Sequence, residues 1–207
     1  MRKTLVLPAL AALALAGPAM AESLSYTYLE GGVFGDAIDD PEDNQYDLRG
    51  SGLDLKASWA INRALFGFAN LSGTEYEYRN EPTDDYDFSA GKLGVGLGVR
   101  FPIGRTVDVV TGFSLQRLRL ENDSANTTLN EDGWGMDLGL RGMIGERLQW
   151  TVAWHNVDYG RDNEDSSWST GFRYYFTRTF AMGLDFATTD ENQASGLVAF
   201  RWDVGNR

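Results

Sequence analysis

Trp134-Gly135-Met136-Asp137-Leu138-Gly139-Leu140-Arg141 and, a few residues on, Leu148-Gln149-Trp150-Thr151-Val152-Ala153-Trp154-His155 carry the clearest periodicity of the chain. In both halves a large apolar side chain occupies every second position, and glycine or a polar residue fills the positions between. A period of two belongs to a β-strand with unlike faces. The break between the halves, Ile144-Gly145-Glu146-Arg147, is short enough to be a tight turn. The stretch therefore reads as an antiparallel hairpin with one apolar and one polar face.

The same kind of turn recurs at Ile61-Asn62-Arg63-Ala64-Leu65, Ile103-Gly104-Arg105-Thr106-Val107 and Phe176-Thr177-Arg178-Thr179-Phe180. The alternate connections, centred near 40, 83, 126, 162 and 191, are long and acidic. Hairpins with one tight end and one loose end are the layout of a transmembrane β-barrel, whose spanning strands need only about five lipid-facing apolar residues each. The alternation persists at Leu53 to Trp59, Leu93 to Phe101, Trp168 to Phe176, Phe180 to Phe186 and Val198 to Val204. It predicts ten strands near 23–34, 46–60, 64–79, 85–101, 106–121, 133–143, 147–159, 166–176, 180–189 and 195–204, with an eight-stranded alternative if one hairpin is loop.

Two strands resist phasing. In 64–79 either Leu65, Gly67, Ala69 and Leu71 or Phe66 and Phe68 face outward, and in 106–121 the change from Phe113 and Leu115 to Leu118 and Leu120 requires a bulge or a strand that has left the membrane. Aromatic residues supply an independent check. Trp59, Phe101, Trp150, Phe176, Phe180 and Trp202 lie beside the tight turns, and Tyr76, Tyr78, Tyr86, Phe88, Trp134, Tyr159 and Trp168 beside the long loops. Two girdles match two membrane interfaces. Beyond the first twenty residues proline occurs only at Pro41, Pro82 and Pro102, in expected loops or turns where no ladder bond is lost.

Arg2 and Lys3, the apolar run Leu5 to Ala16 and the small-x-small Ala19-Met20-Ala21 read as a secretory signal peptide over 1–21, followed by one domain over 22–207. Loss of Arg2 and Lys3 leaves 16 basic residues against 30 acidic ones, a balance of −14 that repels nucleic acid. The absence of cysteine excludes a disulfide scaffold and thiolate chemistry.

Asp54, Lys56, Arg100, Asp108, Asp137, Arg141, Arg173, Asp185, Arg201 and Asp203 fall on the polar face, so ions of both signs are expected inside a narrow barrel, where they must be paired or hydrated. The single histidine, His155, also points inward. Pairing across the turn at 144–146 sets it opposite Gly135 and diagonal to Asp137, and the next hairpin brings it near Gly171, with Ser169 and Arg173 to either side. Ser169, His155 and Asp137 are thus within reach of one another as nucleophile, base and orienter would be. A polar lumen also produces such groupings by chance. The first long loop gathers Asp36, Asp39, Asp40, Glu42, Asp43 and Asp47 but lacks the central glycine and terminal glutamate of an EF-hand, so no specific cation site is assigned.

With these features the chain resembles the small Gram-negative outer-membrane β-barrels of the OmpA/OmpX-like type, and Leu24 to Gly32 resembles the opening of a quorum-sensing-associated subgroup. The resemblance implies an outer-membrane location, dependence on the barrel assembly machinery, and contact with outer-membrane lipids and lipopolysaccharide, with divalent cations as bridges. Such barrels usually end on an aromatic residue, whereas here Phe200 and Trp202 are followed by Asp203 to Arg207. The reading is an all-β, single antiparallel up-and-down transmembrane β-barrel. Its expected role is non-enzymatic: support of the outer membrane, or surface interaction through acidic loops. It carries no catalytic, cofactor-binding or metal residues and no cofactor. A narrow porin-like channel is the alternative, and a lumenal hydrolase or acyltransferase using His155 the second.

Overall fold

The computed structural model describes residues 24–39, 47–78, 88–122, 127–160, 164–189 and 193–204. The signal peptide expected over 1–21 and most of the acidic loops lie outside the described residues. Ten strands follow in order: β1 (Tyr28–Asp39), β2 (Asp47–Ala60), β3 (Leu65–Tyr78), β4 (Phe88–Ile103), β5 (Val107–Asn122), β6 (Thr127–Ile144), β7 (Leu148–Asp158), β8 (Glu164–Tyr175), β9 (Phe180–Thr189) and β10 (Gln193–Asp203). Each pairs antiparallel with its sequence neighbours, and β1 pairs with β10 to close the barrel. Closure leaves no sheet edge, as a hydrocarbon surrounding demands. The eight-stranded alternative is excluded.

The tight turns form for local reasons. Gly104 and Gly145 adopt φ of +77° and +64°, a region that side chains with a Cβ avoid. In the turns without glycine a side chain accepts the free amides instead. The Asn62 Oδ1 takes Ala64 N and Leu65 N, each at 2.9 Å, and the Thr177 Oγ1 takes Thr179 N at 3.2 Å and Phe180 N at 3.0 Å.

The alternation is phased as expected. Leu53, Leu97, Leu115, Leu138, Phe172, Leu184 and Phe200 are exposed on the outer face, while Asp108, Arg141, Arg173, Arg201 and Asp203 are buried inside. Such a surface is intelligible only if lipid covers it. β3 settles on Leu71 outward and Phe66 inward. β5 carries no bulge, because its pairing with β4 runs without a skip from Phe88↔Asn122 to Ile103↔Val107. The strand has instead left the apolar band. Arg117 and Arg119 take the outward positions beyond Leu115, and Arg117 donates to the exposed Asp132 carboxylate at 2.6 Å.

Three expectations are corrected. Tyr76 and Phe88 leave the outer girdle and face the lumen, with rings stacked at 4.6 Å and the Tyr76 hydroxyl donating to Asp36 at 3.1 Å. β6 begins at Thr127, six residues early, because Thr127 to Asp132 continue the ladder to β5. β1 begins at Tyr28, not near 23. Residues 24–27 turn into the barrel, the bend being held by Val204 N and Ala60 N, which donate to the carbonyl and hydroxyl oxygens of Thr27, each at 3.0 Å.

Candidate functional site in the barrel lumen

The end of the lumen beside the tight turns is filled by ion pairs. Arg173, on β8, spreads its fork over two carboxylates: its Nε and Nη2 donate to Glu30 at 2.8 and 2.7 Å, and Nη1 and Nη2 donate to Asp185 at 2.7 and 2.6 Å. Arg201 donates through Nε to Asp203 at 2.7 Å. Arg141 donates through Nη2 to Gln149 at 2.8 Å. Arg100 lies 3.7 Å from Asp108. Planar, multidentate guanidinium groups satisfy buried carboxylates more fully than ammonium groups.

Into this layer the segment 24–27 inserts Tyr26. Its hydroxyl donates to Asp108 Oδ2 at 2.9 Å, and the Arg100 and Arg141 guanidinium groups each lie 4.6 Å from its ring centroid. Arg141 and Arg201 both donate to the carbonyl of Ser25, at 2.8 and 2.9 Å, and Ser58 donates to the carbonyl of Tyr26 at 2.8 Å. Leu24, Tyr26, Phe66 and Met143 make an apolar cluster beside these bonds. Every inward charge expected from the sequence is inside the barrel. Glu30, Tyr26 and Gln149 are not among the residues expected there. For Glu30 the signal is present, since Tyr28, Glu30 and Gly32 alternate with Leu29, Gly31 and Val33.

Farther from the turns the lumen is open enough for Asp137 and His155 each to keep about a third of the side chain exposed, and Lys56, the cross-strand partner of Glu30, keeps a similar share. Here Asp137, His155 and Ser169 do come together. The Asp137 carboxylate lies 2.6 Å from His155 Nδ1, and Ser169 Oγ lies 2.8 Å from Nε2. The pairing differs from that expected: His155 faces Asp137, not Gly135, across β6–β7, and Ser167, not Gly171, across β7–β8. Ser169 sits in mid-strand between Ala153 and Ala187, with both ladders formed. The neighbouring backbone N–H groups are thereby committed to the sheet, which leaves no backbone oxyanion hole beside the hydroxyl. Among the described residues no group of three or more His, Asp or Glu side chains is placed to hold a metal ion.

A closed antiparallel barrel, apolar outside and ion-paired inside, defines an integral membrane β-barrel. The family model described as outer membrane protein beta-barrel domain matches residues 7–201; the chain belongs to this family, and its location is the outer membrane. No curated protein matches it. Among solved structures, an outer membrane channel from Pseudomonas putida F1 is similar over 90% of this chain and 99% of that one, with 9% identity and a TM-score of 0.55. The outer membrane protein OprG from Pseudomonas aeruginosa is 10% identical over 88% of this chain and 98% of its own, with a TM-score of 0.46. Neisserial surface protein A is 15% identical over 86% and 97%, with a TM-score of 0.45. At such identities the likeness is one of fold.

Proposed function

We propose that the protein is a non-enzymatic outer-membrane barrel, closed at its periplasmic mouth, that supports the membrane or meets surface partners through its acidic outer loops. The observation that carries this reading is the sealed layer around Arg173, Arg201 and Tyr26, in which Asp108, Tyr175 and Asp203 are at most 2% exposed. A side-chain layer so dry does not pass hydrated ions. The want of an oxyanion site beside Ser169 supports the non-enzymatic part. Lipopolysaccharide phosphates, bridged by divalent cations to carboxylates such as Asp40, Glu42 and Asp43, are the proposed outer partners. Residues 1–21 are proposed to be removed on export, leaving 22–207, and the intact mass of protein from the outer membrane tests this.

The experiment that bears on the closed mouth is planar-bilayer recording of the purified protein. The expected record has no large, steady conductance. Regular openings whose ion selectivity changes on Arg141→Glu establish the second reading, a narrow channel, which the partial exposure of Lys56 and His155 favours.

A further inference from the structure

Asp108 and Arg141 are direct partners across the β5–β6 ladder, yet no hydrogen bond joins their side chains. Both are buried, and each has one atom with no hydrogen-bond partner: Oδ1 of Asp108, an acceptor, and Nε of Arg141, a donor. Two orphaned buried groups are costly, and these two are complementary. Tyr26 occupies both residues. Its hydroxyl takes the other Asp108 oxygen, and its ring lies against the Arg141 guanidinium.

The segment that carries Tyr26 is held differently from the wall around it. Residues 24–27 belong to no strand, and they are fixed by side chains of β2, β5, β6 and β10 acting on Tyr26 and on the Ser25 and Tyr26 carbonyls. Thr27, bonded to the last residues of β2 and to Val204 just after β10, is the point at which the segment leaves the wall. A hinge there lets 24–26 move without disturbing a ladder bond.

We infer that residues 24–26 are a displaceable plug of the periplasmic mouth, and that its withdrawal lets Asp108 and Arg141 form the carboxylate–guanidinium pair that their strand register already aligns. The inserted state gains the Tyr26 contacts and the apolar cluster with Phe66 and Met143. The withdrawn state gains a bidentate ion pair and cures both orphaned atoms. Two arrangements of one small set of side chains, each satisfying what the other leaves unmet, make a two-state element. Above the plug lies the open part of the lumen with Asp137 and His155, so withdrawal joins that space to the periplasm. This inference rests on the closed-mouth reading and adds that the closure is reversible.

The test is bilayer recording on four forms: the parent, Tyr26→Ala, a Leu24→Gly/Tyr26→Gly double variant, and a Leu24→Cys/Met143→Cys pair, which is the sole pair of thiols in a chain without native cysteine. Folding of each is checked by its shift on unheated gels. The expected result is a quiet parent, discrete openings in both plug variants, and no openings in the oxidised cysteine pair. Plug variants that fold and stay as silent as the parent overturn the inference while leaving the closed-mouth reading intact. A parent that conducts, and is silenced by the disulfide, contradicts only the closed reading and supports the plug. Conduction that persists through the oxidised pair overturns both. Should the glycine variant fail to fold, Tyr26→Ala and the cysteine pair still decide the matter.

Discussion

His155 and Asp137 face each other directly across the β6–β7 ladder, with Nδ1 of the imidazole 2.6 Å from the carboxylate, and Nε2 then reaches Ser169 on the next strand. The bonds therefore tie three consecutive strands across the lumen. They also match the connectivity of a charge-relay triad, which makes the non-enzymatic reading testable at one place. His155→Ala and Ser169→Ala are expected to fold, insert and support the same cellular phenotype as the parent. Turnover of a lipid, peptide or lipopolysaccharide substrate by the parent, reduced by several orders of magnitude in both variants with the gel shift intact, would instead establish the enzyme.

Arg173 is the most heavily engaged cation of the lumen. Removing it by Arg173→Ala takes from the Glu30 and Asp185 carboxylates the one guanidinium that hydrogen-bonds both, and should cost about 3–5 kcal/mol. Arg173→Lys should recover little of this, since an ammonium cannot serve both carboxylates in a bidentate manner. Urea titration of the refolded protein in lipid vesicles measures both. A cost under about 1 kcal/mol for the alanine variant means that water enters the layer and the mouth is not sealed.

Lipid-facing and lumenal sites should differ in their tolerance of charge. Leu138→Arg, on the outer face, is expected to cost about 2–4 kcal/mol in bilayers. Lys56→Gln, at a part-exposed lumenal pair with Asp54 at 3.4 Å, should cost under about 1 kcal/mol. Gly139, although lumenal, is no neutral reference: a Cβ there would stand 2.7 Å from the Val152 carbonyl oxygen and 2.9 Å from the Ala153 Cβ, so serine has to displace the β7 wall. Denaturant titration of the three variants in vesicles gives the order, and equal costs at 138 and 56 would show the faces to be wrongly phased.

The proposed outer partner predicts dependence on divalent cations. Lipopolysaccharide retained through purification should fall several-fold when Ca²⁺ and Mg²⁺ are chelated, and Asp40→Asn/Glu42→Gln/Asp43→Asn should have the same effect without chelation. Phosphate quantified in the purified protein provides the measure. Retention unchanged in both cases removes the bridged-cation proposal.

How far the fold is legible in the sequence follows from what alternation encodes. Facing is a parity, so Leu138, Phe172 and Phe200 can be set outward and Arg141, Arg173 and Arg201 inward without any knowledge of neighbours. Register is a sum over turn lengths, and here the expectation and the structure part. The tight turn begins at Gly145 and not at Ile144, because the left-handed position falls on the glycine; this moves the partner of His155 from Gly135 to Asp137. Ser169 is expected on one diagonal of His155 and lies on the other, so the grouping survives two shifts. Tyr26 escapes the sequence reading for a different reason. Leu24, Tyr26 and Tyr28 keep a strand's period, but the bonds that draw Tyr26 inward come from Asp108, Arg100 and Arg141, which are remote in the chain.

Because the chain has no cysteine, a single introduced thiol reports one position without background. The most direct measure of whether these strands cross a membrane, apolar side out, is a cysteine scan along β6 from Trp134 to Arg141 in lipid vesicles, each thiol carrying a spin label read against a lipid-soluble and a water-soluble relaxant. Contact with the lipid-soluble relaxant is expected at 134, 136, 138 and 140, and shielding from it at 135, 137, 139 and 141. Accessibility without a period of two, or with the even positions reached from water and the odd ones from lipid, would contradict a membrane-spanning barrel of this phase.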